Sequence, residues 1–337
     1  MTERLYYDDP DLLEFTATVL SCEAAGDGWA VVLDRTAFFP EGGGQGADHG
    51  AAGQARVTDT REHAGVITHI TDSPLAVGST VSCAVDAVRR LDMMQQHSGE
   101  HIFSGLVCHT YGCSNVGFHI GSDAVTMDFD HLLTEAEARD IERRANEAVW
   151  ADLPVRAWVP SAEELARTEY RSKKAIEGDV RLVQIPGIDT CACCGTHVQH
   201  TGRIGQIKLL GVQKYKKGVR ISILCGRRAL EHETLMLDQL RRIGNALSGK
   251  QENAAEGVDR LLRERDQLRS DLEVMGMRLF LQAAEKEAGR PVRVMAADML
   301  NAGQLRSAAG RLAEGARAAI VLLARPDGWS FACASAA

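Results

Sequence analysis

The chain has 337 residues, 45% hydrophobic and 25% charged, an ordinary globular balance with room for more than one domain. It holds no run of about 18 apolar residues, so no membrane helix is expected. The start, Met1 to Asp9, lacks the basic-then-apolar pattern of a signal peptide, which points to the cytoplasm. The formal net charge of -8 argues against a general nucleic-acid coat, and nine cysteines, an odd count, read as reduced thiols and metal ligands, not a disulfide framework.

Residues 1 to about 88 read as short strands and turns. Phe15–Leu20, Gly28–Asp34, Val66–Ile70 and Thr80–Val85 are β-rich runs between turn residues, and a small β-barrel is their natural closure. A helix from Ala87 to Tyr111 follows, with Asp86 or Asp92 as its cap. Val116–Ile120 and Ala124–Phe129 suggest a hairpin across Gly121 and Ser122. Thr134 opens an amphipathic helix to Trp150 with a capping sequence. Strands are expected near Val155–Val159, Val180–Gln184, Gly205–Leu210 and Val219–Leu224. Leu230 to about Ala288 is almost all helix-forming, with an interruption at Gly244–Lys250. Within it Val258, Leu261, Arg265, Leu268, Leu272, Met275 and Leu279 follow heptad spacing. That seam suits a dimerising coiled coil or a packed connector equally. A β-α-β unit and one further strand, Trp329–Cys333, close the chain.

The fold class expected is α+β: a small N-terminal β-barrel (1–88), an α/β two-layer zinc-containing domain (89–228), a long coiled-coil-like helical arm (229–289) and a truncated α/β module (290–337). Charge is uneven along this order. Residues 1–60 hold eleven acidic residues against Arg4, Arg35 and Arg56, while residues 161–228 hold thirteen Lys/Arg against six Asp/Glu. That second stretch includes Arg171-Ser172-Lys173-Lys174, Lys214-Tyr215-Lys216-Lys217 and Arg227-Arg228. It is either a surface for a phosphate backbone or a solvated charged face.

Two doublets carry the chemistry. His97-Ser98-Gly99-Glu100-His101 puts two imidazoles on one helical face, and Cys193-Cys194-Gly195-Thr196-His197 repeats the four-residue spacing with a thiol. Three nitrogens and one sulfur suit a tetrahedral zinc ion, Zn2+, catalytic or purely structural. Cys191 and Cys194 are alternative thiols, and Asp189 is a candidate to orient a histidine. His119, His131 and His200 read as structural or surface histidines. Upstream, Asp34 to Gln45 ends in Gly42-Gly43-Gly44, three glycines whose backbone can approach a ligand closely. No Gly-Lys-Ser/Thr follows, so it is not a phosphate loop of the Walker type.

The D-x-T-x-F-x-P-E-G-G-G-Q segment, the Q-Q-H-S-G-x-H helix and the C-x-G-T-H-V motif together resemble the editing region of alanyl-tRNA synthetases. The chain is most similar to the long form of the free-standing alanyl-tRNA editing proteins of the AlaX type. The resemblance runs from the barrel to about residue 228 and takes in Gly117–Gly121, Ile185–Gly187 and Thr201–Gly205; the segment from Arg290 resembles a DHHA1-type module. It implies a hydrolase that deacylates tRNA(Ala) wrongly carrying serine, and in some members glycine. It implies His97, His101, Cys193 and His197 as zinc ligands and Thr36 as the group recognising the serine hydroxyl. Gln96 would orient a ligand or water, and Gly42, Gly43, Gly44 and Gln45 would line the substrate pocket. The implied partner is the tRNA(Ala) acceptor stem, with a homodimer through the helical arm and no membrane. Cys194 departs from the family's usual glycine. A non-catalytic tRNA-binding module with structural zinc, and a zinc hydrolase acting on small amino-acid esters, are the competing readings.

Overall fold

The computed structural model describes residues 2–172 and 180–335. The chain divides into two compact units, Met1–Thr234 and Leu235–Ala337. In the first, β1 (Glu3–Arg4) and a helical turn, α1 (Leu5–Asp8), lead into β2 (Glu14–Ala25) and β3 (Gly28–Leu33). β4 (Arg35–Thr36) lies parallel to β1. β5 (Gly50–Ala52), β6 (Ala55–His63), β7 (Val66–Thr71) and β8 (Thr80–Val85) then complete a closed barrel in the order β2-β3-β7-β6-β5-β8. Its core is small: Ala17, Val19, Val31, Leu33, Phe38, Val57 and Val85.

The barrel matches the expectation, but β5 and β6 were not expected from the sequence. β5 is only Gly-Ala-Ala, and residues with little side chain carry no alternation. β6 buries Ala55, Val57 and Thr60, with a register shift between Val57 and Asp59. That shift breaks the period of two by which a half-buried strand is recognised.

α2 (Ala87–Tyr111) is the axis of the first unit. Asp86 caps it by accepting from the N–H groups of Val88 and Arg89, and Gly112, at φ 61°, ends it in the left-handed region. Its middle, Gln96 to Cys108, is buried throughout. β9 (Asn115–Ile120) and β10 (Val125–Phe129) follow, then α3 (Glu135–Trp150), whose Thr134–Glu137 capping box is formed. Next come β11 (Arg156–Trp158), α4 (Ala162–Arg167), β12 (Leu182–Ile185), β13 (Asp189–Ala192), β14 (Ile207–Tyr215) and β15 (Gly218–Cys225). Four strands form the sheet β14-β15-β10-β9, and β11-β12-β13 form a second. Ile102, Phe103 and Val107 of α2 and Ile141 and Ala145 of α3 pack with Met127, Phe129, Ile221 and Ile223 in one core. The result is a mixed α+β arrangement, as expected.

Arg90 ties α2 to the barrel. Its guanidinium is almost wholly buried, donating to Asp48 Oδ2 (Nε, 3.0 Å), Pro10 O (Nη1, 2.7 Å) and Ala37 O. Phe39 N–H also donates to that Asp48 oxygen at 2.7 Å.

α5 (Gly226–Ala246) and α6 (Ala254–Ala284) are separated by a short 3-10 turn, Gln251–Asn253, so the expected interruption is present. In the second unit, β16 (Val292–Ala296) runs parallel to β17 (Ala318–Arg325) across α7 (Leu305–Ala313), and β18 (Gly328–Ser335) is antiparallel to β17. Phe280, Leu300, Leu305, Leu312 and Val321 form its core. α7 starts later than the expected Leu300 because Asn301 and Gln304 fold back on each other through both backbone N–H groups.

Replacing Arg90 by methionine leaves Asp48 buried without its cation. The expected loss is about 3–5 kcal/mol of unfolding free energy, read as a lower urea midpoint at unchanged slope.

Candidate metal centre

His97 and His101 stand one turn apart on α2 and are each 1% exposed. The second doublet is not helical: β13 ends at Ala192 and the chain turns sharply. Cys193 N–H donates to Arg181 O at 2.9 Å, and Arg181 Nη1 donates to the carbonyls of Cys193 and Gly195, both at 3.0 Å. That turn is possible because residue 195 is glycine: a Cβ there would lie 2.2 Å from His97 Cε1 and 2.3 Å from Nδ1. The same spacing therefore converges for two reasons, helical pitch in one doublet and a clamped turn in the other.

His97, His101, Cys193 and His197 bring their ligand atoms within 4.8 Å of one another. Cys193 Sγ is 3.4 Å from Nε2 of both His97 and His197. A tetrahedral ion with ordinary zinc bond lengths sets such nitrogen–sulfur edges at about 3.6 Å. The donor set and its spacing fit a metal ion. Cys191 instead groups with His101 and Asp189, and Cys194 is solvent-exposed.

The far nitrogens are held as a metal site requires. His97 Nδ1 is 2.8 Å from Gln45 Oε1. Thr196 N–H, which can only donate, points at the same oxygen at 3.2 Å, while Gln45 Nε2 donates to Thr196 Oγ1 at 2.8 Å. Oε1 is thereby the acceptor, His97 Nδ1 carries the hydrogen, and Nε2 presents its lone pair to the centre. Asp189 Oδ2 lies 3.2 Å from His101 Nδ1, an ion-pair contact whose angle is too oblique for a hydrogen bond. Arg171 in turn grips both Asp189 oxygens at 2.8 Å. Ser98 Oγ accepts from Val198 N–H and lies 3.1 Å from His197 Nδ1.

The electrostatics follow. Burial alone would push the Cys193 thiol up, but the imidazoles of His97, His197 and His101 overcome it and hold it well below the usual thiol range. Burial works against charge on His101 as well, yet the Cys193 sulfur and the Asp189 carboxylate raise it to about 9. Burial pushes His197 down to about 3. A thiolate at Cys193 and a neutral imidazole at His197 are the states that metal binding needs, while His101, raised to about 9, holds a proton that a metal ion would have to displace.

The glycine loop sits against this centre. Gly42 and Gln45 close it through paired backbone hydrogen bonds of 3.1 and 3.0 Å, and Gly43 (φ 60°) and Gly44 (φ 85°) adopt left-handed conformations. A Cβ on Gly44 would strike the Phe118 ring at 2.7 Å, and Phe118 stacks on His97 at 5.1 Å between centroids. A Cβ on Gly43 would press the Cys194 sulfur at 3.1 Å. Gln45, expected to line a pocket, is buried and orients His97.

Thr36 and Gln96 have defined partners elsewhere. Thr36 Oγ1 accepts from Phe38 N–H at 3.0 Å and lies 2.8 Å from His69 Nε2. His69 Nδ1 lies 3.1 Å from Val31 O and must donate to it, so Nε2 accepts and Thr36 gives its hydroxyl hydrogen to His69. The Gln96 carboxamide clamps β15 to α2, donating to Cys225 O at 2.8 Å and accepting from Cys225 N–H at 2.9 Å. Ser98, Thr196, Phe118 and Arg181 were given no role by sequence reasoning. The first two stand inside the doublets themselves and Phe118 inside the Gly117–Gly121 stretch of the resemblance; nothing local marks Arg181.

Two outcomes are expected. Gly195→Ala displaces His97 and should weaken Zn2+ uptake by about 10- to 100-fold in equilibrium dialysis, with the circular dichroism spectrum retained. His69, pushed down by burial to about 4, is neutral in the fold and has an ordinary value of about 6.5 when unfolded. Unfolding therefore takes up a proton between those values, and stability present above pH 6.5 is lost as the pH falls towards 4. The loss is about 3 kcal/mol, read as a pH-dependent melting temperature that flattens in His69→Gln.

The chain was compared with known proteins. A family model described as the threonyl and alanyl tRNA synthetase second additional domain matches residues 180–222, which contain Cys193 and His197. A second, for class II (A) tRNA synthetases, matches residues 9–89, which include the barrel strands. Alanine–tRNA ligase of Methanopyrus kandleri is 36% identical over 307 residues, covering 86% of this chain and 33% of the ligase. That of Ignicoccus hospitalis is 33% identical over 300 residues, covering 84% and 33%. That of Thermococcus kodakarensis is 33% identical over 347 residues, covering 96% and 37%. The chain spans about a third of the length of the curated relatives it matches, and it is on this evidence a relative of the alanine–tRNA ligases that carries sequence of the second additional domain of threonyl and alanyl synthetases.

Proposed function

We propose that the chain is a zinc-dependent trans-editing hydrolase of the cytoplasm that deacylates mischarged tRNA(Ala), chiefly Ser-tRNA(Ala), with Gly-tRNA(Ala) a second substrate. The observation that carries this reading is the four-ligand centre lying directly under the Gly42–Gln45 loop in a relative of alanine–tRNA ligases. A site that selects alanine rejects an added hydroxyl by only about 10²-fold, so hydrolysis at a separate site has a purpose.

His97, His101, Cys193 and His197 would hold one Zn2+. Bound there, the ion would polarise the ester carbonyl, lower the pKa of a water, or grip the amino acid. Gln45, Asp189 and Ser98 keep the imidazoles aimed. Gly42, Gly43 and Gly44 let backbone groups approach the acyl chain without side-chain interference. Thr36 already gives its hydrogen to His69 and takes one from Phe38, so towards substrate it offers a remaining lone pair. A serine hydroxyl can donate to that lone pair and alanine cannot, which protects the correct product. Gln96 acts as a positioning residue by holding α2, and with it His97, against β15. The acceptor stem is the partner at the surface. The exposed seam of α6, Val258, Leu261, Leu268, Leu272, Met275 and Leu279, suits a homodimer.

One observation favours a second reading, a non-catalytic tRNA-binding module with structural zinc: four protein ligands close a tetrahedral shell, as structural sites do. Single-turnover deacylation of seryl- and alanyl-tRNA(Ala) separates the two. Serine loss with alanine retained, abolished by metal stripping and by His97→Ala or His101→Ala, is the expected result. Full activity in either variant would remove the zinc-catalytic reading, and zinc-replete protein that binds tRNA without hydrolysing it would leave the binding module.

A further inference from the structure

The basic stretch of residues 161–228 is largely neutralised within the fold. Arg167 pairs with Glu163, Arg171 with Asp189, Arg203 with Asp11, Lys208 with Glu142 and Arg228 with Asp92. Arg181 is engaged by backbone carbonyls. Lys173 and Lys174 lie outside the described residues. What remains concentrated in one place is the tip of the β14–β15 hairpin, where Lys214, Lys216 and Lys217 are exposed and have no acidic partner among the described residues.

The tip is built in a way that a bare turn does not require. Tyr215 pairs with Gly218, leaving Lys216 and Lys217 as the two-residue turn. Lys216 sits at φ 51°, in the left-handed region where glycine or asparagine is the easy choice. Keeping a lysine there accepts backbone strain for a charge at the outermost point of the hairpin. The Tyr215 ring stands between two cations, Arg220 at 4.1 Å and Lys216 at 5.1 Å from its centroid. Arg220 is held by Asp128 through both carboxylate oxygens, which fixes one side of the ring. Three exposed ammonium groups on one hairpin tip, one of them against an anchored aromatic ring, match the chemistry of a nucleic-acid backbone.

The location suits the same ligand. Phe118, Met127 and Ile221 are in register across β9, β10 and β15, and Phe118 stacks on His97. From Phe118 the tip is two strands across and four to five residues along, roughly 18 Å by strand geometry. That is a span of a few nucleotides, within reach of a polynucleotide whose end enters the metal centre.

We propose that the β14–β15 hairpin tip is an RNA-backbone contact, a lysine finger that grips phosphates of the strand whose terminus reaches the metal centre. This rests on the reading of the chain as acting on aminoacyl-tRNA. The alternative role for these lysines is to blunt β14, an edge strand, against pairing with other chains. Glutamate would blunt the edge equally well and repel phosphate.

The test is therefore the triple variant Lys214→Glu, Lys216→Glu, Lys217→Glu in the full chain. Uncharged tRNA(Ala) is titrated by fluorescence anisotropy at several salt concentrations. The expected result is binding weakened at least tenfold and a log–log salt slope reduced by about 2–3. Seryl-tRNA(Ala) should then show a raised KM at little-changed kcat, while the seryl ester of a CCA trinucleotide is hydrolysed as by wild type. Unchanged tRNA affinity and salt slope would overturn the finger. A wild-type protein that binds tRNA but hydrolyses neither ester would overturn the hydrolase reading and leave the binding arm of the test intact.

Discussion

The centre depends on how its imidazoles are held: Gln45 Oε1 lies 2.8 Å from His97 Nδ1, and the Asp189 carboxylate lies 3.2 Å from His101 Nδ1. An imidazole binds a metal through one nitrogen only if the other is committed, and Gln45 commits that of His97. Each is itself held. Gln45 is fixed by both the backbone and the hydroxyl of Thr196, and Asp189 by Arg171. The four candidate ligands come from two segments, while Gln45 of the glycine loop, Asp189 of β13 and Ser98 of α2 stand against the far nitrogens of the imidazoles.

This division explains what was legible in the sequence. The clustered His and Cys residues were visible because scarce residue types recur at a fixed spacing, and Asp189 was visible by nearness to the second doublet. The role of Gln45 was only half visible. It stands at the end of a conspicuous glycine run, yet nothing in that run says that its carboxamide reaches across 151 positions to Thr196. The contact of Phe118, though it lies in the Gly117–Gly121 stretch, and that of Arg181 were not visible: an aromatic on a strand and an arginine in a basic stretch look the same whether they stack on an imidazole, clamp a turn or face water. Most strands were legible by alternation; β6 was not, because a bulge shifts its phase.

The basic stretch teaches the converse. Counting charges along the chain suggests a broad cationic surface, but partners distant in sequence, Asp11, Asp92, Asp128 and Glu142, take up four of its cations, Arg203, Arg228, Arg220 and Lys208. Surface electrostatics is a property of what folding leaves unpaired. Here that residue is a few lysines on one hairpin, in a molecule whose net charge is -8.

The bridge from Gln45 to Thr196 and His97 also bears on how such a module can be inherited. A recombination that carried only α2 and the Cys193–His197 turn into a new context would transfer all four ligands and lose the group that turns His97. The smallest portable piece is the ligand-bearing domain together with its barrel, and a lineage that separates them must first find another acceptor for that one imidazole hydrogen.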